Sequence, residues 1–272
     1  MNTKGIAIVE ISGGLGNQLF QLGAAQLLRR NFETVYLDFS ANLVNPKRRN
    51  EVMDLAKALD FPFIKSSVML RKIFAKLRLT KIEHHFRREK LILEKKGFSK
   101  PIVVNSKRRV RYRGYWQNIE CAKAIRPEVA SWIKVFPQDS IGLHIRRGDY
   151  TIEENAKYHG LLTDEYFNSI LENFKKDSLL KIYSDSPIQI AKMEFVQSNF
   201  RVEESNSEEP WETLAHLSAH KVIIISNSTF SWWAAFLSDA EIVYIPSEWM
   251  PNKPTPPGLL LDRSVICQSI FA

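Results

Sequence analysis

Cysteine is scarce: the 272 residues hold two, Cys121 and Cys267, far apart in sequence. With no CxxC pair and no closed set of cysteines, a disulfide framework and a cysteine-based zinc site are excluded, and a reducing compartment fits best. No run of about 18 apolar residues occurs, so no segment is expected to span a membrane. The opening residues, MNTKGIAIVEISGG, pass straight into strand and turn chemistry, and no signal peptide is expected. Internal repeats and low-complexity tracts are absent too. A glycine-rich turn follows the first apolar run, yet its spacing is not G-x-G-x-x-G, so the dinucleotide fingerprint is missing.

What is present is enough apolar material for a real core. Hydrophobic residues make up 44% of the chain, and the length suits two domains of about 130 residues each. The net charge of +8 is unevenly spread. Between Arg71 and Arg113, 16 lysines and arginines stand against three acids, so the remainder is net acidic. Such a run is either a solvated helix face or the footprint of a local anionic partner. Within it, residues 68–79 place Leu70, Ile73, Phe74 and Leu77 at helical spacing, ringed by Arg71, Lys72, Lys76 and Arg78. That pattern describes a core helix with a charged outer face, or one lying on an anionic membrane.

The chain is organised around residues 140–150, SIGLHIRRGDY. The stretch opens as a strand and ends in turn chemistry. A period of two sends His144 and Arg146 to one face and Arg147 and Asp149 to the other. Two arginines and a histidine at the carboxyl end of a buried strand need an anionic partner, and in open α/β sheets that end is where ligands bind. Two readings stand. Arg147 and Asp149 pair to shape the turn while Arg146 takes a phosphate, or the whole cluster is structural.

Other stretches repeat the arrangement. Residues 5–11 read as a first strand, followed by SGGLGNQ and an apolar helix, which puts Gly16, Asn17 and Gln18 at a helix N-terminus, a ligand-facing position. Residues 34–39 are a second strand. GYWQ at 114–117 places Tyr115, Trp116 and Gln117 together, either as core aromatics or as a sugar-stacking platform. Residues 126–140 carry two prolines and no clear strand, the pattern of an inter-domain connection. Beyond the central stretch, residues 158–160 form a turn holding His159, and Thr163 caps a helix through residue 176. Residues 180–185 are a strand ending in Asp185, and residues 190–196 are helical. A further strand, VIIIS, ends in Ser226, Asn227, Ser228 and Thr229 at the start of another helix. Hydroxyl residues there either cap the helix or cradle a phosphate. A last strand, EIVYIPS, and a proline-rich tail close the chain.

Together HIRRGDY, ISGGLGNQLFQ and SNSTFSWW resemble the motifs of the α-1,2-fucosyltransferase family, GDP-fucose-dependent enzymes with a His-x-Arg-Arg-x-Asp motif. GYWQ, the Tyr-His-Gly turn and Ser184-Asp185 fall in the same order, so the likeness runs from about residue 8 to 237. Ser186, Ile190 and Thr213 depart from the family pattern on the nucleotide side, and residues 40–113 match none of its motifs. The resemblance implies an α/β, GT-B-like architecture: two Rossmann-like domains facing a cleft, residues 1–130 on the acceptor side and 137–272 binding GDP-fucose. It implies that Arg146 holds the β-phosphate, that His144 and Asp185 face the guanine, that Ser228 and Thr229 meet the pyrophosphate, and that Ser226 and Asn227 also belong to the donor site. Gly16, Asn17 and Gln18 would face the donor from the other domain. Tyr115, Trp116, Gln117 and His159 would serve the acceptor, with Arg146, Arg147 and Asp149 catalytic.

The implied reaction is inverting transfer of L-fucose to the 2-hydroxyl of a galactoside in bacterial surface polysaccharide. The sequence contains no Asp-x-Asp, so fixed cations rather than a metal are expected to stabilise the departing diphosphate, and no cofactor is expected. Asp149, His159 or no side chain at all acts as base. A lipid-linked acceptor and peripheral contact with an anionic inner membrane would suit the basic segment, in a cytoplasmic protein. The rival readings are a transferase of another GDP- or UDP-sugar and a nucleic-acid binder. The second would want aromatics interleaved with the charges, for which Tyr112 and Phe86 are thin support, so no nucleic-acid partner is expected.

Overall fold

The computed structural model describes residues 5–43, 49–64, 90–94, 109–186, 200–204 and 209–272. The chain divides into two compact units, Met1–Trp132 and Ile133–Ala272. The first contains strands β1 (Ile6–Glu10), β2 (Thr34–Asp38), β3 (Lys90–Leu93) and β4 (Val110–Arg113). They lie in the order β2-β1-β4-β3, every pairing parallel. Parallel neighbours require crossovers. Helix α1 (Leu15–Leu28) follows β1, α2 (Ser40–Leu43) and α3 (Met53–Ala58) follow β2, and α4 (Ile119–Lys123) and α5 (Arg126–Trp132) follow β4. Ala7, Ile8 and Val9 are wholly buried, as a continuous apolar run in a covered parallel sheet should be. α1 packs so tightly on α4 that a Cβ at Gly23 would stand 1.9 Å from the Cys121 carbonyl oxygen.

The second unit holds β5 (Gln138–Ile145), β6 (Leu179–Ser184), β7 (Arg201–Glu204), β8 (His220–Ile224), β9 (Ile242–Pro246), a short antiparallel pair β10 (Glu248–Met250) and β11 (Lys253–Pro254), and β12 (Ser264–Cys267). Six of these form a wholly parallel sheet in the order β12-β9-β8-β5-β6-β7. That is the doubly wound Rossmann order, with the direction of winding reversing between β5 and β8. Helices α6 (Glu153–His159), α7 (Asp164–Leu171), α8 (Pro210–Ser218) and α9 (Thr229–Leu237) connect the strands. Ile141, Leu143 and Ile145 pack on Tyr166, Phe167 and Ile170 of α7 to form one core. α9 is apolar all round and correspondingly buried. Its Trp232 stacks on Phe236 at 5.0 Å and donates to the Leu259 carbonyl at 2.7 Å.

Four local expectations are corrected. The connection foreseen at 126–140 contains α5 and the start of β5; Pro127 sits in the first helical turn, where its missing N–H is harmless. Tyr158 and His159 end a helix rather than forming a turn. The helix after Thr163 stops at Leu171, and Thr163 occupies its N-cap without a capping bond, its hydroxyl donating instead to the Ile270 carbonyl at 3.3 Å. The tail supplies an edge strand, β12, paired parallel to β9. The helices foreseen at 68–79 and 190–196 lie outside the described residues.

Candidate active site at the carboxyl end of β5

The HIRRGDY stretch ends β5 beside the point where the sheet changes winding direction. Both neighbouring strands hold that end in place. From the β8 side, Ser226 donates its hydroxyl to the His144 carbonyl at 2.7 Å and accepts from the Arg146 N–H at 3.0 Å. From the β6 side, Ser184 donates to the Ile145 carbonyl at 2.8 Å, and Asp185 accepts from the Arg147 N–H at 2.8 Å.

The two arginines then diverge. Arg147 is buried; it donates to the Leu162 carbonyl at 2.9 Å, pairs with Asp164 at 3.4 Å and lies over Phe167. Burial lowers its pKa, with Asp164 and Asp185 opposing the shift. These contacts commit its guanidinium to partners within the protein. Arg146 remains partly exposed, its side chain keeping 24% of its accessible surface. One terminal nitrogen pairs with Asp185 at 2.6 Å and the other with Asp149. The ion pair seen on Asp149 is therefore to Arg146, where strand alternation suggested Arg147. Gly148, with φ +27°, breaks the strand period and starts a 3-10 turn, Gly148–Thr151, which brings Asp149 back over Arg146. A Cβ at Gly148 would come within 2.2 Å of an Asp185 carboxylate oxygen. Glycine is what allows the turn to sit on that carboxylate.

The SNST turn serves two purposes. Asn227 spends its amide on the carbonyls of His159, Gly160 and Trp249, at 2.8, 3.2 and 3.3 Å. Ser226 is committed to β5 as described. Both side chains tie the turn to the surrounding framework. Ser228 is the N-cap of α9, yet its side chain makes no capping bond, and Thr229 begins the helix, half-buried. Capping by Ser228 is thus not realised, and the positive end of the α9 dipole faces the β5 side of the switch point without that cap.

His144 is buried, its ring 5.4 Å from that of Phe230, with Nδ1 lacking a hydrogen-bond partner. Burial first, and the Arg146 charge second, push its pKa down to about 3, so the imidazole is neutral. His159 stacks on Tyr150 at 4.7 Å, and Tyr158 meets its edge at 4.8 Å. Burial lowers its pKa as well. Tyr150, on its other flank, lies 5.2 Å from the Arg146 guanidinium. Sequence reasoning missed Tyr150 and Asp164 as partners of the arginines. Tyr150 closes the central motif, which is the only local signal; nothing local marks Asp164.

The remaining expected residues belong to the first unit. Gln18 is wholly buried, donating to the carbonyls of Gly13 and Arg49 at 2.8 Å each and accepting from the Val52 N–H at 3.3 Å. It braces the glycine-rich turn. Gly16 is buried in the first turn of α1. Asn17, half-buried, accepts from Gln117 at 2.8 Å. Trp116 is 4% exposed, packed edge-on against Tyr112 at 5.9 Å, with a left-handed φ of +55°. It is core, and this leaves Tyr115, 44% exposed, as the one open ring of the expected platform.

Comparison with known proteins bears on this geometry. Residues 62–256 match the profile of glycosyl transferase family 11. An α-1,2-colitosyltransferase of Escherichia coli is 29% identical over 91% of this chain and 93% of its own. The O-antigen biosynthesis glycosyltransferase WbnK of the same organism is 26% identical over 89% and 94%. Among solved structures, E. coli heptosyltransferase WaaC with ADP superposes with a TM-score of 0.51 at 10% identity, covering 97% of this chain and 93% of that one, which establishes a shared GT-B-like fold of parallel-sheet α/β units.

Proposed function

The chain belongs to glycosyl transferase family 11, and on that premise we propose that it transfers L-fucose from GDP-β-L-fucose to the 2-hydroxyl of a galactoside, with inversion and without a metal. The observation that carries the reading is Arg146, partly exposed at the sheet's switch point between the anchored Asp185 and the uncapped start of α9. Breaking the bond between the sugar's anomeric carbon and the β-phosphate oxygen delivers negative charge to the diphosphate. A fixed guanidinium beside a helix N-terminus is preorganised to meet that charge. Its planar fork suits phosphate oxygens. Ser228 and Thr229 stand at the same helix start. Tyr115 of the first unit, an exposed ring, is the acceptor-side candidate.

The name of the 29% identical relative favours a second donor, the 3,6-dideoxy sugar colitose. Nucleotide release from a panel of GDP-fucose, GDP-colitose, GDP-mannose and UDP-sugars, with and without EDTA, separates the readings. Release from GDP-fucose that survives EDTA supports the proposal. Dependence on Mn²⁺, or preference for a UDP-sugar, contradicts it. The acceptor is proposed to be a lipid-linked glycan at an anionic cytoplasmic membrane face, which the 16 cations between Arg71 and Arg113 would favour. Neutralising Arg71, Lys72, Lys76 and Arg78 should then release the protein from anionic vesicles. Among the described residues, no helix is long and apolar enough to cross a membrane.

A further inference from the structure

Arg146 has a cation's charge but does not offer all of it. Its terminal nitrogens carry two carboxylates, Asp149 and Asp185, so the local triad is net negative. A diphosphate arriving here meets two like charges, and relief is greatest if one of them leaves. The two are not equally held. Asp185 accepts from the Arg147 backbone N–H at 2.8 Å and is pressed against Gly148. It follows directly on β6, a strand inside the sheet. Asp149 rides on the short 3-10 turn, its side chain retaining 36% of its surface against 28% for Asp185. Swinging it away needs a side-chain rotation, not the dismantling of a strand end.

We propose that the donor's diphosphate displaces Asp149 from Arg146, and that the carboxylate so released takes the acceptor's proton. This rests on the nucleotide-sugar reading given above and adds a base and an order of events to it. The balance is simple. The acceptor oxygen forms its bond to the anomeric carbon, the bond from that carbon to the β-phosphate oxygen breaks, and its electron pair stays on GDP, held by Arg146. The acceptor's proton moves to an Asp149 oxygen. In the unliganded protein Arg146 keeps that carboxylate occupied, so the base becomes available only once the leaving group is in place. Water is thereby denied an activated partner before the donor has bound.

The two halves of the proposal predict opposite signs for one substitution. Asp149→Asn removes a charge that competes with the diphosphate, so GDP should bind about 3- to 10-fold more tightly by calorimetry. The same variant lacks the base, so kcat for transfer should fall about 10²- to 10⁴-fold. Asp149→Ser, smaller and also uncharged, should reproduce both changes and guards against a packing artefact of the amide; melting curves check that each variant is folded. A purely structural Asp149 would weaken both binding and turnover, which overturns the proposal. Tighter binding with turnover intact overturns it too, as does lost turnover with unchanged GDP affinity. Failure of the underlying reading is read elsewhere, in the wild-type chain, which would then not bind GDP at all.

Discussion

Both units place paired arginines on or just after parallel strands, and they treat the charge in different ways. In the first, Arg111 lies within the sheet at 1% exposure, between Glu10 at 3.1 Å and Asp38 at 2.5 Å. Arg113 adds a two-pronged contact to Glu10, at 2.9 and 3.0 Å. Arg111 is enclosed between its two carboxylates, while Arg113 at the strand end keeps 26% of its side-chain surface. In the second unit Arg146 is also paired, but its side chain keeps 24% of its surface, one partner sits on a turn, and a helix N-terminus without a side-chain cap lies alongside. The same chemistry serves as a buried staple in one sheet and as a ligand-facing charge in the other. The difference is whether the carboxylate partners are fixed by strands or carried on a turn.

Substitutions sharpen this contrast. Arg111→Met takes the Arg111 counter-ion from buried Asp38 and leaves Glu10 paired with Arg113, and should cost about 3–5 kcal/mol of stability in denaturant titrations. Asn227→Ala strips three carbonyls of their donor and should cost about 1–3 kcal/mol, with a parallel loss of turnover because the SNST turn is no longer tied to α6. Acid should act on the second unit through its buried histidines. His144 is held near 3 and His220, between the Ser140 and Tyr183 hydroxyls, near 4, both by burial first. The unfolded chain binds protons on these groups at higher pH than the native one does. Their contribution is therefore complete above about pH 6.5 and is lost as pH falls toward their folded values, with a slope of up to about 1.4 kcal/mol per pH unit for each. His144→Asn should flatten the stability–pH curve between pH 4 and about 6.5, and an unchanged slope would contradict the buried neutral imidazole. Ser226→Ala removes one strand-end staple and should cost about 1 kcal/mol, the smallest of these effects.

Much of the second unit was legible because its signals are local. A strand, a glycine or serine turn and a helix start within a dozen residues, as in HIRRGDY and SNSTFSWW, announce a strand-end site whatever lies elsewhere. Pairings across the fold were not legible. That Arg147 goes to Asp164 and Arg146 to Asp185 depends on how α7 and β6 dock against β5, which no spacing encodes. Trp116 shows the same limit. GYWQ looks like a sugar platform in one dimension, and only the left-handed turn at that residue puts its ring into the core beside Tyr112. Asn227 and Gln18, polar and placed at turns, looked like ligand contacts. Both are consumed by backbone carbonyls, because a tight turn between strand and helix must itself be satisfied. The edge strand β12 was hidden by the proline-rich residues before it.

The central claim is that the Arg146 guanidinium stabilises the departing diphosphate, and transfer kinetics of Arg146→Lys and Arg146→Ala, alongside their melting curves, test it most directly. The account predicts folded proteins whose kcat falls about 10²- to 10³-fold, equivalent to about 3–4 kcal/mol of barrier, with lysine only partly rescuing alanine. Turnover within a few-fold of wild type in either folded variant would contradict it.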